Sequence, residues 1–224
     1  MKSLQALEHL QQMLPRMVDR CDQLEVRVNC TEAALASSQA ELAGSQHDER
    51  RARHQATHDA LTSLPNSRHF REQLERILNQ AAVRNSSVAV FYLDLDGFKS
   101  VNDLHGHEVG DELLKIVAAR MDRHVRSEDL ASRLGGDEFA CLRQGRCDRG
   151  QLGMWAEKLY QLLSEPMRIG PLRLTVTASI GVAIYPDDGV SVAELLRNAD
   201  AAMYRAKRGQ SGASFFVHDL VTGA

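Results

Sequence analysis

From about Leu4 to His58 the chain contains one glycine, Gly44, while Leu10, Leu14, Met17, Cys21, Leu24, Val28, Thr31, Leu35, Ser38 and Leu42 alternate at spacings of four and three. A helix with an apolar residue every 3.5 positions carries a narrow stripe suited to burial against another helix, so this segment predicts a coiled coil. Pro15 lacks the N–H that a helix interior needs, and the regular helix is expected to begin at or after it. The stripe loses its apolar residues toward Ser45. Two arrangements satisfy it: a parallel dimeric stalk, or one amphipathic helix laid back on the rest of the chain. A lone helix encloses no ligand, so a signal would arrive through a partner protein or a changed dimer.

Beyond Asp59 the periodicity becomes mixed. Ser67 to Ala82 has a helical apolar period with Phe70, Leu74, Ile77 and Leu78, and Asp111 to Val125 has one with Leu113, Leu114, Val117 and Met121. Leu152 to Leu163 and Val192 to Arg208 read as two further helices. Ser87 to Leu93, Leu130 to Leu134 and Phe139 to Leu142 read as short strands, and Leu172 to Ile184 as one long strand, with or without a hairpin before it. Strands in both orientations with helices on one face suggest an α+β sandwich. The expected division is a helical segment over 1–58, a globular domain over 59–218 and a tail over 219–224.

Two acidic clusters sit at the ends of these strands. The apolar run ends in Asp94-Leu95-Asp96-Gly97-Phe98-Lys99, and Arg133-Leu134-Gly135-Gly136-Asp137-Glu138-Phe139 places two glycines and two acids in a hairpin turn. Glycine tolerates positive φ and lets a ligand approach the backbone. Carboxylates at such a tip can hold a hard divalent cation. Either cluster alone reads equally as a turn with solvated acids. Together, with Lys99 and Asn102-Asp103 following, they suit metal-assisted phosphoryl transfer.

Bulk properties exclude several classes. A formal net charge of −3 leaves no basic footprint for nucleic acid. No apolar run reaches membrane-spanning length, and the polar N-terminus is unlike a signal peptide. Cys21, Cys30, Cys141 and Cys147 lack zinc spacing and read as reduced thiols, which points to the cytoplasm. His105 and His107 could be read as a metal pair.

In order along the chain, Asp59-Ala60-Leu61-Thr62 with Leu64-Pro65-Asn66, Asp94 to Lys99, Asn102-Asp103, Gly106-His107, Gly110-Asp111, Gly135 to Phe139, Ser179 to Ala183, and Ala199 to Lys207 resemble the GGDEF family, the bacterial diguanylate cyclases. The resemblance implies a fold similar to the palm of nucleotide cyclases and polymerases: a central antiparallel sheet with surrounding helices, here preceded by the long helix. It implies condensation of two GTP into cyclic di-GMP with release of two pyrophosphates, each 3′-hydroxyl attacking the other α-phosphate. Asp94 and Asp137 match the metal-ligand carboxylates, Glu138 beside them is a further candidate ligand, and Leu95 would offer its carbonyl. Asp137 or Glu138 would help deprotonate the attacking hydroxyl, a choice the residues leave open. Magnesium is the expected ion, with manganese as the alternative. Asn102 and Asp111 would read guanine, with His107 near the nucleotide; on their own they read as a turn residue and a helix cap. Lys99 and Lys207 would meet phosphate beside the amides of Gly97 and Phe98.

The family pattern also implies a homodimer, since one site holds half the reactants. Arg126 and Asp129 fall where the family carries an Arg-x-x-Asp motif that binds cyclic di-GMP as an inhibitor; read cold they are a surface pair. Two departures stand out. Ser211 replaces the Arg expected four residues after Lys207, and Ser67 replaces an Arg after Asn66. The alternative function is therefore a weak or inactive module that binds GTP or cyclic di-GMP and signals through its helix. An activating protein partner is a further expectation.

Overall fold

The computed structural model describes residues 2–145 and 148–217; Cys147 and the tail 219–224 lie outside the described residues. The backbone forms α1 (Lys2–Thr57), α2 (Ser67–Arg84), β1 (Ser87–Asp96), α3 (Phe98–His105), α4 (His107–His124), β2 (Leu130–Gly135), β3 (Glu138–Gly145), α5 (Arg149–Ser164), β4 (Met167–Ile169), β5 (Leu172–Leu174), β6 (Thr177–Tyr185), α6 (Val192–Gly209) and β7 (Ala213–Phe215). It divides into two compact units between His54 and Gln55.

The first unit is helical throughout, and its side chains at Leu14, Met17, Leu24, Val28, Leu35 and Leu42 are exposed. The expected start after Pro15 is corrected: Pro15 lies inside α1. Its ring removes one rung of the hydrogen-bond ladder and the remaining rungs carry the helix through. No helix among the described residues is long and apolar enough to cross a membrane.

The second unit is built on a five-stranded sheet in the order β2-β3-β1-β6-β7, antiparallel except for the β6–β7 pair. The central strands read as unbroken apolar runs because both of their faces are covered. Phe91, Leu93 and Leu95 of β1 join Phe139, Ile180 and Val182 in a core closed by α4 and α5. Val88 and Val90 face the other way into a core closed by α2 and α6. The expectation of helices on one face is thus corrected to helices on both.

The strand expected over Leu172 to Ile184 is two strands. β5 pairs with β4 in a separate ribbon, and the chain breaks at Thr175-Val176, where Val176 turns into the core. The helix expected from Asp111 begins at His107, so Asp111 lies within α4 and does not cap it. The short α3 has no counterpart in the sequence reading.

On β6, Gly181 lets α6 approach closely. A Cβ there would lie 1.9 Å from the Ala199 carbonyl oxygen and 2.2 Å from the Met203 nitrogen. Gly181→Ala should therefore push α6 off the sheet and cost about 3 kcal/mol of stability, as overpacked cores do, measured as a shift in the urea midpoint at constant slope.

Candidate active site

The site forms where β1 emerges between β3 and β6. In an antiparallel pair, directly opposed residues share a face, and Asp94 stands opposite Glu138 on β3. Asp137 at the hairpin tip is tied inward by its carbonyl, which accepts from the Leu95 N–H at 3.3 Å. Asp94, Asp137 and Glu138 are all half-buried. Burial raises the Asp94 carboxyl above its ordinary value, and the neighbouring Asp137 and Asp96 charges push the same way against the lowering effect of Lys207. Like charges gathered in partial shelter are a seat for a cation. At present Lys207, reaching from α6, fills that need by donating to Asp94 Oδ1.

The donor set fits a magnesium-type ion: two carboxylates and a backbone carbonyl, all hard oxygens. No group of three or more His, Cys, Asp or Glu side chains capable of holding a metal occurs among the described residues. A magnesium-type ion is commonly held by one or two carboxylates and completed by water and phosphate oxygens. His107 opens α4 and is exposed.

The hairpin tip is held by a residue the sequence reading passed over. Arg133 donates from Nε and Nη2 to the Gly136 carbonyl at 3.0 and 2.8 Å, and from Nη1 to Asp59 Oδ1 at 2.8 Å. Gly136 has φ +52°, which a side-chain-bearing residue rarely adopts, and this turns its carbonyl toward the guanidinium. Asp59 also accepts from the Thr62 N–H and hydroxyl. Burial raises its carboxyl, but these hydrogen bonds outweigh it and leave the pKa below the ordinary value. The signal was present in the sequence as Asp59-Ala60-Leu61-Thr62 and Arg133, whose connection is tertiary.

Two more positioning contacts were missed. Asp96 accepts from Thr177 and Ser179, each at 2.8 Å, which fixes the end of β1 to β6. Burial, with the neighbouring Glu138 carboxylate, pushes the Tyr92 phenol up. A polar cavity of about 310 Å³ opens beside Lys207, lined by Asp96, Tyr160, Thr177, Ser179, Gln210 and Gly212. A groove of about 840 Å³ between α2 and the start of α6 includes none of the site carboxylates.

The residues expected at guanine sit at the α3–α4 corner. Asn102 packs so closely on Gly110 that a Cβ there would fall 1.9 Å from Asn102 Oδ1, with Phe98 at 3.3 Å. Asn102 Oδ1 is buried and accepts no hydrogen bond, an acceptor awaiting a donor. Asp111 follows Gly110 on α4 and is exposed, as is Lys99 in the first turn of α3. Arg126 and Asp129 are not part of this site. They lie beyond Leu130, which pairs with Leu142 at the opposite end of β3 from the signature turn. Arg126 is exposed and Asp129 buried.

The fold agrees with the comparisons. Residues 56–213 match the family described as diguanylate cyclase, GGDEF domain. The chain belongs to the GGDEF family. It is 45% identical over 170 residues to the bifunctional diguanylate cyclase/cyclic di-GMP phosphodiesterase MucR of Pseudomonas aeruginosa, covering 75% of this chain and 25% of that protein. The chain thus spans about a quarter of that relative's length. Among solved structures, the coiled coil and GGDEF domain of DgcB from Caulobacter crescentus in complex with c-di-GMP superposes with TM-score 0.74 at 29% identity, covering 82% of this chain and 98% of that one. The diguanylate cyclase SiaD in complex with its activator SiaC, from Pseudomonas aeruginosa, gives TM-score 0.66 at 27% identity, covering 95% and 89%.

Arg133→Met should lower stability by about 2 kcal/mol, the scale of charge-assisted hydrogen bonds lost from a sheltered carboxylate. Because the folded Asp59 pKa is depressed, its contribution is present above the ordinary value of 3.8 and is lost as pH falls through the folded value. Unfolding curves of the two proteins should therefore converge on acidification.

Proposed function

We propose that this chain is a diguanylate cyclase that condenses two GTP into cyclic di-GMP. The observation that carries the reading is the convergence of Asp94, Asp137 and Glu138 at one end of the sheet with Lys207 drawn onto them. Magnesium bound there, or manganese, would neutralise triphosphate charge and lower the pKa of the attacking 3′-hydroxyl. Asp94, Asp137 and the Leu95 carbonyl are the proposed ligands. Glu138 or Asp137 would take the hydroxyl proton. Lys207 would leave Asp94 for the triphosphate, whose end would enter the adjoining polar cavity, while Lys99 and the amides at the start of α3 meet the other phosphates. Asn102 Oδ1 would accept from the guanine N2 amine, Asp111 would accept at the same edge and His107 would stand beside the nucleotide.

Each domain supplies one reactant, so two must meet about a two-fold axis. We assign that task to residues 1–58 as a parallel coiled coil holding two catalytic domains over 59–218, which raises the local concentration of one for the other. Arg126 and Asp129 are the proposed product-inhibition site. The relative SiaD is crystallised with an activator, and a partner protein acting on the helix of this chain is a matching source of signal. The reading places the chain in the cytoplasm, where GTP is found.

A second reading, a weak or inactive nucleotide-binding module, is favoured by Ser211. Its hydroxyl is turned to the Ala213 carbonyl and offers phosphate no charge. A lost charge-assisted hydrogen bond is worth roughly 1.5–3 kcal/mol.

Incubation with GTP and magnesium should yield cyclic di-GMP by mass spectrometry, and Asp137→Ala should lower the rate by more than the roughly 10–100-fold that loss of an outer-shell metal partner costs. Binding of GTP without product in the wild-type protein would favour the second reading. Ser211→Arg should lower the KM for GTP by about ten-fold; an unchanged KM would place the triphosphate elsewhere.

A further inference from the structure

The Arg126–Asp129 turn holds an arrangement that the proposed product site does not explain. Arg126 points to solvent, with its nearest acid, Glu128, 3.9 Å away and both side chains more than half exposed. Asp129 points inward with only 2% of its side chain exposed. One carboxylate oxygen accepts from the Gln144 N–H at 3.4 Å, which joins the turn to the end of β3. The other, Oδ2, faces Arg143 Nε at 3.3 Å but accepts no well-aligned hydrogen bond. Arg143 in turn lies over the Trp155 ring, 5.0 Å from its centroid, and Trp155 is wedged between Phe91 and His124. The guanidinium is therefore seated on a rigid aromatic floor.

A carboxylate so placed offers no open edge to a purine. Guanine presents N1–H and N2–H to an acid as a planar fork of two donors, and a guanidinium presents the same fork. Arg143 thus brings the same kind of donor fork up to Asp129 that a guanine would bring, and holds it imperfectly, because its Nε meets Oδ2 as an ion pair without an aligned hydrogen bond. A buried, poorly satisfied ion pair gives up little when it exchanges for a better partner.

We propose that Arg143 is an internal competitor for the product: cyclic di-GMP binds at Arg126 and Asp129 by exchanging its guanine edge for the Arg143 guanidinium. The inference rests on the product-site reading above and adds a latch to it. Inhibition then sets in only at concentrations high enough to open the Asp129–Arg143 contact, and Arg143 sets that threshold. Arg126, already exposed, is free to make the first contact with the ligand. Arg143 is a positioning residue in this account, acting on the ligand through Asp129.

The test is calorimetric titration of the intact chain with cyclic di-GMP. Arg143→Met keeps the aliphatic stem over Trp155 and removes the fork, so the Kd should fall by at least about five-fold, the lower end of typical coupling between sites. In the Arg143→Met/Asp129→Asn double variant that gain should vanish, because the amide cannot accept both guanine donors. An unchanged or weaker Kd for Arg143→Met, or a gain that survives in the double variant, overturns the latch. Arg126→Ala tests the site beneath it: wild-type binding that is indifferent to this change overturns the product-site reading and the latch together. Absence of binding in both the wild type and Arg143→Met does the same. Binding by Arg143→Met alone supports a latch that is closed in the wild type. If Arg143→Met is unfolded by circular dichroism, Arg143→Lys serves in its place. A point charge without the fork should give a smaller gain of the same sign, and no gain overturns the proposal.

Discussion

The contact between Arg133 and the Gly136 carbonyl, anchored at its far side by Asp59, governs how the acids are presented. A two-residue turn with glycine at its apex has many conformations, and one of them places Asp137 beside the end of β1. The guanidinium selects it by accepting no compromise in geometry: three donors in one plane meet two fixed acceptors. Asp59 is fixed in turn by Thr62, and the Arg133 N–H donates to the Pro65 carbonyl. The segment that opens the globular unit and the turn that carries the acids are thus one hydrogen-bonded object. The remainder of the site is assembled around it from β1, whose two neighbours fix its height.

The sheet was legible in the sequence for a physical reason. β1, β3 and β6 are covered on both faces, so their apolar runs are continuous and their ends are marked by acids, glycine or proline. The long helices were legible through the stripes that Phe70, Leu74 and Leu113, Leu114, Val117 bury. What escaped was whatever depends on partners remote in the chain. α3 is eight residues long and lays only Phe98 and Val101 partly against the core, too short a stripe to detect. Sequence alone starts α4 too late because Asp111 reads as a helix cap, whereas Gly110 before it lies inside the helix and admits Asn102. Covering of the sheet on both faces instead of one follows from α2 and α6 sharing a core, which no local period reports.

The site was legible in part. The acids of Asp94 to Asp96 and of the hairpin stand out because two acidic clusters close apolar runs, where either alone reads as a turn with solvated acids. Their supports, Arg133, Thr177, Ser179 and Tyr92, are ordinary residues whose meaning appears only when the strands are laid side by side. Asp129 shows the converse. In sequence it is half of a spaced pair with Arg126, while in space its side chain belongs to Arg143, fourteen residues further along the chain across a strand pairing.

The sheet order has a consequence for motion. β1 has a hydrogen-bonded strand on each edge and a helical layer on each face, so amides such as Val90 to Leu93 open to solvent only when the whole unit opens. The helix that follows it, α3, is eight residues long with none buried, and its amides are the natural site of local fraying. Asp94 and Asp96 therefore ride on a strand covered on both faces, and Asn102, one of the expected base contacts, on a short helix with no buried residue. A purine settling against Asn102 would spend part of its binding free energy ordering α3, and the chain would register occupancy there first as a loss of hydrogen exchange.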